Sequence, residues 1–292
     1  EIKECDWSSD VCSSDLVSGI DLKAGAHPFR ILNYKDAGWM PPRLALYARI
    51  ESGKEYPLHA YNSYPPDPNP VASILINAGA EPRLLRAFVD FKGDRSRRLT
   101  HTIGVGDPSG THYIYDMGSG AVSCVWRGGF VDATPMWHDR GDGSFRPIGA
   151  AQFTFTGQPL AFLGDLSQPF PATGVTAEYR SLGYEVDPAS GRPTFRYRYR
   201  NLDVTSKITP EREGRILTNV VTVKDRGSEP SLYLKLAEGS SITPVPDGSW
   251  AIDDKRYYIK VNTGTAQVRT VGELRELIIP VGTEPVSYSI IW

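Results

Sequence analysis

The sequence predicts an all-β protein, most simply a large antiparallel β-sandwich of the galactose-mutarotase-like kind, with a pair of smaller jelly-roll-like sandwich domains as the alternative. Short runs rich in Val, Ile, Thr, Tyr and Phe recur along the 292 residues, separated by Gly, Pro, Asp and Asn turn signals. No segment keeps a helical period long enough to stand alone. The best helical fragment, 273–277, is too short. No repeat of fixed period suggests propeller blades.

Residues 1–16 form no part of the expected fold. The run from Asp6 to Leu16 reads as the in-frame translation of a sequencing-adapter oligonucleotide, so the natural chain is expected to start near Val17. Without that segment Cys5 and Cys12 disappear and Cys124 stands alone, which leaves no disulfide framework and no cysteine metal site. Five acids and one base go with it, and the net charge moves from −2 to +2. That near balance argues against nucleic acid as a partner. No apolar run approaches the roughly 18 residues of a membrane span.

The expected strands are 44–51, 71–77, 84–91, 99–106, 111–116, 121–126, 151–156, 179–186, 194–201, 216–223, 232–238, 256–261, 276–281 and 287–292. Residues 17–92 are expected to form an N-terminal β segment with a proline-rich loop at 64–70. Residues 93–292 are expected to form the main sandwich. Asp107-Pro108-Ser109-Gly110 and Asp187-Pro188-Ala189-Ser190-Gly191 each provide Asp to start a turn, Pro with a fixed φ and Gly to accept a positive φ. With Gly118-Ser119-Gly120 as the next turn, strands 99–106, 111–116 and 121–126 should make a meander. In strand 194–201, Phe195, Tyr197 and Tyr199 alternate with Arg196, Arg198 and Arg200. One face should be core, and the other either solvated and paired with acids such as Glu178 and Glu185 or an anion-binding groove.

Candidate functional residues concentrate between His101 and Arg140, a stretch with three of the five histidines and two of the six tryptophans. If Gly106 pairs with Thr111, His101 lies opposite Asp116 on one face. The two would be either an oriented acid–base pair or a buried histidine satisfied by a structural acid. Tyr113, Tyr115, Val122, Cys124 and Trp126 would then share the other face, with Cys124 a small buried apolar residue. After Trp126 the strand pattern stops, and 130–143 is expected to be a long structured loop. There Trp137 is suited to stack on a sugar ring, while His138, Asp139 and Arg140 are suited to bind hydroxyls or a carboxylate. The same residues also suit a loop pinned by aromatics and internal ion pairs. Trp126, Arg127 and Asp132 complete the candidate ligand-binding set; His101, Asp116, His138 and Asp139 are the catalytic candidates. A zinc site from His112, His138 and a carboxylate, or an acid pair of Asp132 and Asp139, is conceivable, but neither spacing is diagnostic. No heme-attachment motif, nucleophile elbow or phosphate-binding loop is present in the sequence, and no cofactor is expected within it.

The matching residues His101, Val105-Gly106, Tyr113, Tyr115-Asp116, Val125-Trp126-Arg127, Phe130, Asp132 and Met136-Trp137-His138-Asp139-Arg140-Gly141 carry a resemblance. Gly183-Tyr184, Gly191, Phe195 and Leu236-Ala237-Glu238 fit the same pattern. Over about its last 200 residues the chain resembles an uncharacterised domain of large secreted or periplasmic bacterial multidomain proteins. These also carry cytochrome c, sorbosone-dehydrogenase-like or sugar-hydrolase-like modules. The resemblance implies a periplasmic or extracellular location and neighbouring domains of a parent chain as partners. Three functions are then expected as alternatives. The first is a non-catalytic carbohydrate-associated module that binds a sugar or other polar small molecule. The second is a carbohydrate-active epimerase, hydrolase or lyase, and the third a structural domain that docks a redox module.

Overall fold

The computed structural model describes residues 19–23, 25, 27, 47–48, 56–57, 71–138, 143–171, 178–211, 215–225 and 231–292. The chain divides into two compact units, 1–70 and 71–292. In the first, β1 (Tyr47–Ala48) pairs antiparallel with β2 (Tyr56–Pro57). The proline-rich loop expected at 64–70 lies outside the described residues. The second unit is all-β and built from three antiparallel sheets in a sandwich-like arrangement.

The first sheet has seven strands: β3 (Leu75–Ile76), β4 (Arg83–Asp90), β5 (Arg98–Gly106), β6 (Thr111–Asp116), β7 (Ala121–Asp132), β8 (Arg146–Gly149) and β9 (Gln152–Phe153). Its order is β3-β7-β6-β5-β4, with β8 and β9 also on β7. The division expected at residues 92–93 falls inside this unit, because β4 and β5 are antiparallel neighbours joined by two short 3-10 turns. After β10 (Leu160–Phe162) come β11 (Tyr179–Val186), β12 (Pro193–Tyr199), β13 (Leu202–Pro210) and β14 (Ile216–Lys224). Next are β15 (Leu232–Gly239), β16 (Ile242–Pro244), β17 (Ser249–Ile252), β18 (Tyr257–Val261), β19 (Gln267–Val271), β20 (Leu274–Pro280) and β21 (Val286–Ile291). An eight-stranded sheet runs β11-β12-β13-β14-β21-β18-β17-β16, and a four-stranded sheet runs β10-β15-β20-β19.

One hydrophobic core is shared by all three sheets. It takes Ile103, Val105, Tyr113 and Tyr115 from the first, Phe195, Tyr197 and Ile290 from the second, and Leu234, Leu277 and Ile279 from the third. Tyr115 of β6 stacks on Phe195 of β12 with ring centroids 3.8 Å apart and planes 8° from parallel, which joins two sheets face to face. Each such buried side chain contributes about 1.5–3 kcal/mol of apolar transfer free energy. The alternation in β12 places Phe195, Tyr197 and Tyr199 inward. Arg196 pairs outward with Glu185, Arg198 with Asp203 and Arg200 with Glu178. A second core covers the opposite face of the seven-stranded sheet, with Ile114, Cys124, Trp126, Phe130, Val131 and Phe145 fully buried.

Residues 273–277, too short for a helix, fall largely in β20, where Leu277 and Ile279 alternate into the shared core while Glu276 and Ile278 face away. The structure corrects three local expectations. The β7 strand does not stop at Trp126. It leaves β6 after Arg127 and continues to Asp132 against β8 and β3. Gly128 permits that change of partner: its φ is +132°, and a Cβ there would meet the Ile148 carbonyl at 2.8 Å. The segment expected to be loop therefore begins as strand and then forms the one-turn helix α1 (Thr134–Trp137).

The third correction is register. Gly106 pairs with His112, not Thr111, and Thr102, not His101, pairs with Asp116. A one-residue slip exchanges the faces of a strand. A bulge at Ser123 in β7 then restores the order differently. Tyr115 faces Val122 and Ile114 faces Cys124, so Val122 and Val125 enter the shared core while Cys124 and Trp126 enter the second.

The β5–β6 turn is tied to the β11–β12 turn by Asp107 and Arg192. The guanidinium donates from Nε to Oδ2 at 2.8 Å and from Nη2 to Oδ1 at 3.3 Å, and the carboxylate is buried. Burial alone would raise the Asp107 pKa, but the Arg192 and Ser109 hydrogen bonds outweigh it and hold the group below the ordinary carboxylate value. Replacing Arg192 by Met leaves that carboxylate without its charged partner. The expected loss is about 2–3 kcal/mol, measured as a lower urea midpoint. An unchanged midpoint would show that the tie does not bear on stability.

Candidate functional site

The β5–β7 hairpins and α1 carry those sequence-predicted site residues that the structure describes. His101 lies at a second bulge, where Thr100 and His101 of β5 stand opposite Phe88 alone on β4. Its side chain is exposed, and Nδ1 is 2.9 Å from the Thr100 hydroxyl. Asp116 is buried and turned toward its own hairpin. Oδ1 accepts from the Gly118 N–H at 2.9 Å and Oδ2 from the Ser119 hydroxyl at 2.6 Å. Burial, the largest influence, raises its pKa above the ordinary carboxylate value despite these bonds. His101 and Asp116 therefore do not form an oriented acid–base pair: His101 is exposed at the β5 bulge, and the Asp116 carboxylate is turned into an Asx turn.

Trp126 is not a ligand platform. Its indole is fully enclosed in the second core, parallel to Phe130 at 6.0 Å. Nε1 donates to the carbonyls of Gly129 at 2.9 Å and Phe130 at 3.0 Å. Arg127, the next residue, is exposed at the end of the β6–β7 pairing. Burial also pushes the Cys124 thiol far up, so it behaves as an apolar core residue.

His112 packs against both Trp126 and Phe130, with ring centroids 5.5 and 5.4 Å away. The Asp107 N–H donates to Nδ1 at 3.1 Å, and Nε2 lies 2.9 Å from the Gly128 carbonyl. A nitrogen that accepts from a backbone amide carries no proton, so the ring is the neutral Nε2–H tautomer. Both nitrogens are thus occupied, and His112 is not available as a zinc ligand. Among the described residues no group of three His, Cys, Asp or Glu side chains is placed to hold a metal.

The α1 turn is held from its own sequence. Asp132 Oδ1 accepts from the Thr134 N–H at 2.9 Å, and the Thr134 hydroxyl accepts from the Ile74 N–H at 2.8 Å. Ala133 is buried and Met136 packs on the second core. This anchoring leaves Trp137 outward, with 51% of its surface exposed, and places the half-buried His138 at the helix end. Asp132 thereby acts as a turn acceptor. Asp139 and Arg140, and with them any acid pair of Asp132 and Asp139, lie outside the described residues.

A second cluster, without any signal in the sequence, lies on the face of the four-stranded sheet away from the shared core. A bulge at Leu236 sends Leu236 and Ala237 both into that core, so Lys235 and Glu238 emerge on the same side three residues apart. Glu238 stands opposite Glu276 of β20, and Glu276 opposite Arg269 of β19. Lys235 Nζ is 2.7 Å from Glu238 Oε2 and 3.4 Å from Glu276 Oε1, and Arg269 Nε donates to Glu276 Oε2 at 2.7 Å. Arg269 Nη1 reaches the carbonyls of Leu166 and Gln168, each at 2.7 Å. Both cations lie against Phe170, with Lys235 also over Phe155 at 4.8 Å. Lys235, Glu238 and Glu276 of this cluster floor a pocket of about 280 Å³, walled by Phe170, Val271 and Leu274 among others.

The chain matches no protein-family model, and no curated protein matches it in sequence.

The neutral His112 gives a pH signature. Desolvation is the main cause that lowers its pKa below the ordinary 6.5. A depressed histidine pKa gives stability that is complete above the unfolded value and is lost as pH falls through the folded one. The urea midpoint should therefore drop between pH 7.5 and 5, and the His112→Gln variant should show a flatter profile over that interval. Parallel profiles would mean that His112 does not titrate against the fold.

Proposed function

We propose that this protein is a non-catalytic carbohydrate-associated module of a larger extracytoplasmic sugar-handling protein, with α1 as its contact point. The observation that carries the reading is the exposed Trp137 indole on a helix turn fixed by Asp132, Thr134 and Met136. An immobilised aromatic face beside a histidine is suited to the apolar face of a pyranose, and its rigidity limits the ordering cost on binding. The Asp116 carboxylate is engaged by Gly118 and Ser119 rather than by His101, which favours binding over turnover, since the two do not present an oriented proton-transfer pair. The location and the sugar-oxidising or sugar-degrading context come from the resemblance of the His101–Arg140 stretch. No helix among the described residues is long and apolar enough to cross a membrane.

Glycan-array screening followed by calorimetry tests the reading. A glycan that binds the wild type at millimolar concentration or better should bind the Trp137→Ala variant at least about tenfold more weakly, equivalent to 1.4 kcal/mol. The melting temperature should hardly change, because the removed side chain is half exposed. Absence of any bound glycan, or binding indifferent to the substitution, would overturn the assignment to α1.

A further inference from the structure

We propose that the pocket over Lys235 and Glu238 is a binding site for a small, neutral polyhydroxylated ligand of monosaccharide size, held through a pair of adjacent hydroxyls. The site requires neither α1 nor Trp137 and stands apart from the function proposed above.

Strand geometry is the first support. A bulge is the reason two charged residues, Lys235 and Glu238, share one face of β15, and cross-strand pairing adds Glu276 and Arg269. Two cations and two carboxylates balance in charge. The Lys235, Arg269 and Glu276 side chains are only 4%, 5% and 6% exposed, whereas Glu238 is 24% exposed at the pocket. Burying such a set costs desolvation free energy that apolar residues of similar volume would not incur. Here the charged floor opens on a pocket rather than a closed core.

The second support is the hydrogen-bond inventory. An ammonium has three N–H donors. Two of those on Lys235 are directed at Glu238 Oε2 and Glu276 Oε1, and no described residue accepts the third. Among the described residues none donates to Glu238 Oε1. A spare donor and a spare acceptor side by side match a vicinal diol, in which one hydroxyl accepts from the ammonium and the next donates to the carboxylate. A lone carboxylate ligand would meet Glu238 and Glu276; a lone amine would meet Lys235 and Arg269. A neutral diol avoids both repulsions.

The third is size and wall chemistry. Pockets for drug-sized ligands run from about 300 to 1,000 Å³, so about 280 Å³ suits a single ring rather than a chain of them. Pro169, Phe170, Pro171, Val271 and Leu274 supply apolar surface for the C–H face of such a ring.

The test is a ¹H–¹⁵N NMR titration of the full chain with D-glucose, D-galactose and myo-inositol, each to tens of millimolar. Saturable shifts should map to Lys235, Glu238 and Leu274. The Glu238→Gln variant should bind at least about tenfold more weakly, as expected for loss of a charge-assisted hydrogen bond. Lys235→Met risks unfolding by stranding Glu238 and removing one partner of Glu276, so Leu274→Trp is the decisive variant. It fills the pocket wall from a 42% exposed position outside the charge cluster, and should abolish the shifts while the melting temperature holds. Trp137→Ala should leave them intact. No saturable shift with any of the three probes, or shifts that persist in Leu274→Trp, would overturn the site. Neither outcome bears on glycan binding at α1, which is read from Trp137→Ala alone.

Discussion

The bulge at Ser123 decides which side of the seven-stranded sheet each later residue of β7 serves. Successive side chains on a strand point to opposite faces, and one inserted residue reverses the assignment downstream. Val122 and Val125 therefore reach the core shared by three sheets, while Cys124 and Trp126 build the second core. Trp126 in turn governs the path of the chain beyond it. Its indole N–H closes on the carbonyls of Gly129 and Phe130, where β7 changes partners from β6 to β8. The far end of the same strand launches α1. The only strongly exposed tryptophan among the described residues thus depends on an extra residue far upstream in the same strand.

Charge is handled in two contrasting ways. Asp107 and Arg192 form a closed pair, bidentate, joining two turns. That arrangement engages both oxygens of the buried carboxylate with one edge of the guanidinium. Lys235, Glu238, Arg269 and Glu276 form an open set with one side at solvent. The difference lies in the lysine. Its donors radiate from a point, whereas a guanidinium fork fits one carboxylate edge.

Much of the fold is legible in the sequence because strand signals are local. The expected runs 111–116 and 179–186 coincide with β6 and β11, and the Asp-Pro turns identify the hairpins. The β13 strand is not legible because only Arg200 and Asn201 separate it from β12, with Arg200 at a φ of +55° and no glycine or proline to mark the turn. Register is hidden as well. The extra residue in the β5–β6 turn is held by a buried ring, with His112 accepting the Asp107 N–H, and no turn composition records that bond. The open charge cluster is invisible for a different reason. Its members come from β15, β19 and β20, and only the strand order β15-β20-β19 brings them together. The α1 site is partly legible, since Trp137 and His138 lie next to each other in sequence. Trp126 misleads because its environment depends on the bulge.

Strand β7 belongs to two interiors at once. A substitution at Val125 is constrained by the packing of one, a substitution at Trp126 by the packing of the other, and a deletion anywhere between Val122 and Trp126 exchanges the two sets. Such a strand has little room for gradual change, because neighbouring residues answer to different packings.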